Sequence, residues 1–230
     1  MASSRIAAVS VGWMSSFFDG LASQYRNKVL AAAKPRRFAA KSVITNQGHP
    51  ADNLFLLTKG RARYFFDERG GRHILLHWLA VGEIIGGMAL LAKPASYLLG
   101  SETVRECNLL VWDRATIRGL VAQYPVLLEN ALATASDYLA WYLAAHVALT
   151  CHSAEQRLAG VLGSLAEVIG QDVSGGVELD VTNEELANAA NVTVFTASRM
   201  LSAWQRLGVV KKGRGKILLR QPTRLFLHEL

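Results

Sequence analysis

The run Thr182–Leu207, TNEELANAANVTVFTASRMLSAWQRL, constrains the fold more than any other part of the chain. Thr182 followed three residues later by Glu185 forms a capping box, which satisfies orphan N–H groups at a helix start. Leu186 and Ala190 share the face of that helix that must be buried. Asn191-Val192-Thr193 is a tight turn, and Asn tolerates a left-handed backbone. Thr193 then caps a second helix, which stops at Gly208. Two helices joined so closely must cross, and the second is free to lie in a groove. The expectation is a helix-turn-helix that reads DNA.

Charge supports an anionic partner. The chain has 230 residues, a formal net charge of +7 and a pI near 9.6. The cations cluster: Arg199 to Arg224 holds eight Lys/Arg and no acid. Such a run supplies phosphate donors whose binding weakens steeply with salt. Val209-Val210, the turn Gly213–Gly215 and Ile217–Leu219 read as a hairpin following the second helix, which makes the reader a winged one. Lys211, Lys212, Arg214 and Lys216 lie in that wing. On the second helix, Val194, Phe195, Ser198 and Arg199 occupy the first turns, the part that meets base edges. Arg199 can fork onto guanine O6 and N7, Ser198 can donate or accept, and Phe195 can pack on a thymine methyl. Met200, Leu201, Trp204 and Leu207 are the expected core face.

Upstream, residues 38–112 carry short apolar runs: Ser42–Asn46, Asn53–Leu57, Ala62–Phe66, His73–Leu79 and Leu109–Trp112. Glycines punctuate them, and Asp67–Gly71 reads as a hairpin connection. Many short strands imply a small antiparallel barrel or roll. Before it, Phe17, Phe18, Leu21, Val29 and Leu30 suggest one or two short helices. Gly20 to Ala51 contains six Lys/Arg and no acid, which reads as a solvated basic face. After it, Asp113 caps a helix containing Ile117, Leu120 and Val121. Pro125 opens a long helix to about Thr150, roughly 38 Å at 1.5 Å per residue. Its Ala135, Leu139, Tyr142, His146 and Leu149 alternate by four and three, the spacing of a coiled-coil seam between two subunits. Ser153 and Gln156 form a second capping box. That helix ends at Gly170, and a polar loop, Gln171–Gly176, leads to a strand at Val177–Val181.

Two cysteines, Cys107 and Cys151, allow neither a disulfide framework nor four-thiolate cluster ligation from one chain. Both read as small buried hydrophobes, with Cys151 at the junction where oxidation would couple to DNA affinity. Residues 1–13 lack a signal-peptide pattern, and Glu129, Asp137 and His146 interrupt the most apolar stretch. The expectation is a cytoplasmic protein with no membrane segment. Its class is α+β: an N-terminal antiparallel β-roll (a double-stranded β-helix), a long dimerisation helix and a C-terminal winged helix-turn-helix. The domains are expected at 1–124, 125–151 and 152–230.

This order resembles the Crp–Fnr family of bacterial transcription regulators. Val43-Ile44 with Gln47-Gly48, Leu54–Gly60, Gly82–Gly86 and Thr182–Val209 carry the resemblance. It implies a cyclic-nucleotide-binding-like sensor and a homodimer on a palindromic double-stranded operator. It also implies contact with RNA polymerase and no catalytic residues. Thr193-Val194-Phe195-Thr196-Ala197-Ser198-Arg199 looks most like the Fnr branch, whose readers carry Glu, Ser and Arg. Ser198 and Arg199 match, and Phe195 stands where Glu is usual.

In the family's cyclic-AMP binders a Gly-Glu…Arg-Ser cassette holds phosphate and ribose. The matching run is Gly86-Gly87-Met88-Ala89-Leu90, then Ser96-Tyr97-Leu98-Leu99. Gly87 replaces the Glu, and Tyr97 and Leu98 fall near the Arg-Ser. Tyr142 and Leu143 replace small hydroxyl residues of the long helix. A buried cyclic phosphate would lack its cation, so cyclic AMP is not expected to bind in the usual mode. Gly86, Gly87, Met88, Ala89, Tyr97, Leu98, Leu99 and Tyr142 line the expected effector pocket.

No resident cofactor or metal is expected. Haem ligation by His73, His77 or His146, or a redox response, remains an alternative of the same family. A metal-dependent enzyme of the cupin kind is the rival class. His73 and His77, four apart on one strand, do not converge with a Glu. A protein-binding adaptor with a degenerate reader is the third class.

Overall fold

The computed structural model describes residues 15–68, 71 and 73–220. Residues 1–13, Arg69 and Gly70 of the expected hairpin connection, and Arg224 of the basic run lie outside them. The chain divides into two compact units. One contains the described residues up to Arg63 together with Leu79–Ser136, and the other contains Tyr64–Trp78 and the chain from Asp137 onward.

The strands between Lys34 and Asp113 are short because glycines and polar turns interrupt them, and those within Tyr64–Trp78 belong to the second unit. The strands are β1 (Lys34–Phe38), β2 (Val43–Thr45), β3 (Asn53–Lys59), β4 (Ala62–Asp67), β5 (His73–Leu79), β6 (Ile84–Ile85), β7 (Gly100–Thr103) and β8 (Cys107–Asp113). They form two four-stranded sheets, ordered β1-β8-β3-β6 and β2-β7-β4-β5. β3 pairs antiparallel with both β8 and β6, and Leu54 through Leu57 are all buried. Successive side chains point to opposite faces, so one strand serves two packing layers. Leu54 and Leu56 join Phe17, Phe18, Trp112, Ile117 and Leu127 in one apolar cluster. The Trp112 indole donates to the Val29 carbonyl at 2.8 Å. That bond ties α1 (Ser23–Ala31) to the sheet, and a 3-10 turn, Ser16–Phe18, precedes α1. At the β3–β4 turn Gly60 has φ of 97°, and a Cβ there would sit 2.3 Å from the Glu106 carbonyl, so only glycine fits.

Three of these strands carry no apolar alternation and were not expected. β1, KPRRF, is an edge strand with four of its five residues exposed. β7, GSET, buries hydroxyls: Thr45 and Ser101 share a hydrogen bond of 2.6 Å, and Thr103 donates to the Ala39 carbonyl at 2.6 Å. β6 is two residues long. The helices agree with the expected starts. Asp113 accepts from the Thr116 N–H and opens α2 (Arg114–Gln123). α3 spans Val126–Cys151, its first part in the first unit and the rest in the second.

The second unit holds the remainder of α3, then α4 (Ala154–Ile169), β9 (Gln171–Val173), β10 (Gly176–Leu179), α5 (Asn183–Ala189), α6 (Val194–Arg206), β11 (Val210–Gly213) and β12 (Lys216–Leu219). The sheet order is β11-β12-β10-β9. Its core gathers Leu158, Leu162, Leu165, Leu186, Leu201, Trp204, Ile217 and Leu219, and Leu75 and Trp78 of the β4–β5 hairpin belong to the same cluster. The expected loop Gln171–Gly176 is instead a hairpin, with Val177 opposite Asp172 and Glu178 opposite Gln171. Every residue of β9 is exposed, so it left no burial pattern to detect. Leu207, expected in the core, is instead the exposed C-cap of α6, while Met200 packs partly buried against the core. No helix among the described residues is long and apolar enough to cross a membrane.

Gly170 ends α4 for a reason other than a left-handed turn. Its φ is −62° and ψ 145°, open to any residue. A Cβ there, however, would lie 2.2 Å from the Ala166 carbonyl oxygen and 2.5 Å from Val177 Cγ1. At a compatible φ, replacing Gly by Ala ordinarily stabilises by reducing unfolded-state entropy. Here Gly170→Ala is expected to destabilise by about 1–3 kcal/mol through overpacking, measured as a lower urea midpoint with unchanged slope.

Candidate nucleic-acid interface and sensor site

The reader is assembled from local bonds. Thr182 and Glu185 make both halves of the capping box that opens α5. Asn191 takes φ of 50°, the left-handed step of the turn. The Val192 N–H donates to the Ala187 carbonyl at 2.9 Å, closing the turn onto α5. The Thr193 hydroxyl then accepts from the Thr196 N–H at 3.1 Å, and the two threonine hydroxyls lie 2.8 Å apart. Thr196 thus takes part in the cap. Gly208, φ 73°, ends α6, and the Val209 N–H returns to the Trp204 carbonyl at 3.0 Å.

α6 has two chemically distinct faces. Ala197, Leu201 and Trp204 are buried. Val194, Phe195 and Arg199 are exposed, Phe195 at 76%. Phe195 and Arg199, four apart, share one outward face, with Ser198 half-buried beside them. Phe195 is thus no core aromatic, and the Arg199 guanidinium has no ion-pair partner among the described residues.

The wing cations fall into two groups. Lys211 and Arg214 are exposed. The Lys212 ammonium donates to the Ser202 hydroxyl at 3.1 Å, and its N–H donates to the Gln205 side chain at 3.2 Å. These bonds fasten β11 to α6 beside a shallow concavity lined by Ser202, Gln205, Arg206 and Lys212. Lys216 pairs with Glu178 of β10 at 2.5 Å. Lys212 and Lys216 therefore spend part of their donor capacity inside the domain, which their sequence separation from these partners concealed.

On the sensor side, Gly86 is buried with φ of 84° and caps a short 3-10 turn, Gly87–Leu90. Gly87 is exposed, Met88 half-buried, and Ala89 is buried in the helix-facing cluster. The Tyr97 ring lies over Gly86, where a Cβ would come within 2.9 Å of it. Its hydroxyl accepts from the Asn53 N–H at 3.0 Å and donates to the Asn53 carbonyl at 2.9 Å. Its own N–H and carbonyl bond to His49 and Gly48, so both ring and backbone are stitched into the roll. Leu98 is exposed and Leu99 half-buried; Tyr142, on α3, belongs to the other unit.

Along α3, Ala135, Leu139, His146 and Leu149 are exposed and Tyr142 is half-buried. Leu128 and Leu132 are also exposed and extend the same alternation of four and three by another turn and more. The four-three repeat, continued toward the N-terminus from Ala135, includes both. His77 meets Tyr138 and Trp141 edge-on, with ring centroids 5.1 and 5.2 Å away. His73 pairs with Asp67 at 2.8 Å and stacks against Phe65 at 4.0 Å. His146 is exposed. Among the described residues no group of three or more His, Cys, Asp and Glu gathers as a metal site would. Cys107 is buried; burial pushes its thiol pKa up, and the thiol donates to the Arg61 carbonyl at 3.2 Å. Cys151, expected to be buried, is exposed at the end of α3.

Residues 35–124 match the model of the cyclic nucleotide-binding domain, and residues 156–226 match that of the Crp-like helix-turn-helix domain. The cyclic AMP receptor protein of Thermus thermophilus is 28% identical over 211 residues, covering 92% of this chain and 95% of its own. The cAMP-activated global transcriptional regulator Vfr of Pseudomonas aeruginosa is 24% identical, covering 87% of this chain and 95% of its own. In fold, the chain is similar to the c-di-GMP responsive global regulator CLP of Xanthomonas campestris. The TM-score is 0.75 at 20% identity, covering 87% of this chain and 100% of that one.

Burial, more than the nearby Asp52 charge, raises the Tyr97 pKa above the ordinary tyrosine value. The fold thus favours the neutral phenol. The stability this contributes is complete below the ordinary value and is lost as pH rises through the raised one. The wild-type melting temperature should exceed that of Tyr97→Phe at neutral pH. The gap should narrow as pH climbs past about 10, measured by paired thermal scans.

Proposed function

Since the chain belongs to the Crp–Fnr family of transcription regulators, we propose that it works as a homodimer reading a palindromic operator, with a sensor that does not take cyclic AMP in the usual mode. The family membership makes it a DNA-binding transcription regulator and not an enzyme. The observation that carries the finer reading is the outward face of α6. A helix fixed by caps at its start and by buried Leu201 and Trp204 below presents Phe195 and Arg199 to solvent.

Arg199 reads guanine, and Phe195 substitutes apolar contact for the carboxylate that would accept from cytosine N4. Ser198 and the α6 N-terminus, with Thr193 and Val194, approach the backbone or base edges. Lys211 and Arg214 hold phosphates, with Lys212 and Lys216 as weaker contributors because of their internal partners. Two readers would meet half-sites about 34 Å apart.

The dimer reading is supported by α3. Its exposed apolar positions Leu128, Leu132, Leu139 and Leu149 fall on one seam with Ala135, Tyr142 and His146. Solvent is a poor environment for such a stripe, and a second copy of the same helix covers it.

The sensor reading is supported by Gly87 in place of the ribose-binding carboxylate and by Tyr97 in the region of the Arg-Ser pair. Tyr97 already fills its surroundings and uses its hydroxyl twice. The Thermus and Pseudomonas relatives are named for cyclic AMP; here Tyr97 and Leu98 stand near the Arg-Ser position, so the cassette's arginine is not there to meet a cyclic phosphate. No resident cofactor is included, because His73 is engaged by Asp67 and Phe65 and His77 by Tyr138 and Trp141. A cytoplasmic setting and contact with RNA polymerase complete the proposal.

Selection from a random DNA pool should return a two-fold symmetric site. On that site Arg199→Ala should cost about 1–3 kcal/mol of affinity and relax preference at one base pair in each half. An unchanged site and affinity would refute the assignment. Leu139→Glu should convert the protein from dimer to monomer in analytical ultracentrifugation, and a persistent dimer would remove α3 from the interface. Calorimetry with cyclic AMP should register no stoichiometric binding.

A further inference from the structure

One side chain in the second unit is bound to three carbonyls. From the first turns of α4, Arg157 donates its Nε to the Ala190 carbonyl at 2.9 Å, Nη1 to His152 at 2.9 Å and Nη2 to Asn191 at 3.2 Å. His152 directly follows the last residue of α3. Ala190 is the C-cap of α5, and Asn191 is the left-handed step of the turn. Two residues later Thr193 caps α6. Carbonyls at helix C-termini lack intrahelical donors and carry partial negative charge. A planar, permanently charged fork with donors on three nitrogens can meet several of them from different directions.

A second bond runs from the same turn of α4. Glu155 accepts from the Trp204 indole N–H at 3.2 Å, on the buried side of α6. The start of α4 therefore grips the recognition helix through its preceding turn and through its core tryptophan, and it grips the end of α3 as well.

We infer that Arg157 is a positioning residue for specific DNA reading. It fixes the approach of α6 relative to the end of α3, and it touches no DNA itself. The inference rests on the DNA-reading proposal above. Base readout depends on placing Arg199 and Phe195 against base edges, whereas sequence-independent attraction depends on the count of cations near phosphates. Loosening the grip at Arg157 should therefore degrade specific binding selectively.

Arg157→Lys preserves charge while removing the fork, and Arg157→Gln removes both. Affinity for the selected operator and for random-sequence DNA would be measured for wild type, both variants and Arg199→Ala. The salt dependence would be measured in parallel, at a temperature where circular dichroism shows each protein folded. In Arg157→Lys the operator affinity should fall about tenfold. Its random-DNA affinity and salt slope should match the wild type's. Arg157→Gln should lose at least as much operator affinity, also with its random-DNA affinity retained. Equal losses on both DNAs, or no loss in either variant, would overturn the inference. If wild type selects no sequence at all, the DNA-reading proposal itself fails, an outcome distinct from a specific wild type with indifferent Arg157 variants.

Discussion

The reader depends on the burial of Trp204. Its indole sits in the core with Leu158, Leu186 and Leu201 and donates to Glu155. A buried indole N–H without an acceptor would cost roughly 1–3 kcal/mol, so Glu155 selects this rotation of α6 over its neighbours. The outward face follows from helical arithmetic. Phe195 is nine residues before Trp204, which at about 100° per residue places it on the opposite side of the helix. Burying a large aromatic residue near one end of α6 thus exposes another near the other end. The caps at Thr182 and Thr193 determine where the helices begin, and the tryptophan determines which way the second one faces.

Much of this unit was legible in the sequence because its determinants are local. Both capping boxes, the left-handed Asn191, the Thr193 cap and the Gly208 stop depend on residues within four positions of one another. What was illegible depended on partners far along the chain or on exposure without pattern. β9 is wholly exposed, and β7 pairs its inward hydroxyls with residues more than fifty positions away. Lys216 meets Glu178 only because β10 and β12 are neighbours in the sheet. Leu207 is exposed although the helical period points it inward, because α6 ends one residue before it and Leu207 is its cap. Gly170 stops α4 under crowding by a carbonyl and a valine, which cannot be read from the residue itself.

The two ends of the protein use tyrosine and arginine in contrasting ways. Tyr97 spends both capacities of its hydroxyl on one residue's backbone, which makes its region of the roll self-contained. Arg157 distributes its donors over three carbonyls in two separate stretches of backbone, which makes their arrangement mutually dependent. Satisfying a polar group within one segment stiffens that segment; satisfying it across several couples them. The departures from the family pattern at Gly87 and Tyr97 fall where the chain is self-contained. The Ser198 and Arg199 match falls on the unit that Arg157 holds together.

The edge strand β1 bears on how copies of this protein can associate. Pro35 offers no N–H to an incoming strand, and the exposed Lys34 and Arg36 would bring like charges together if two such edges met, Arg37 being paired with Glu106. Growth by strand addition, which has no natural end point, is disfavoured along that edge. Helical contact through a single self-complementary stripe closes after two copies. The roll is thereby guarded against open-ended polymerisation by the same basic residues that, in sequence, looked like mere solvated surface.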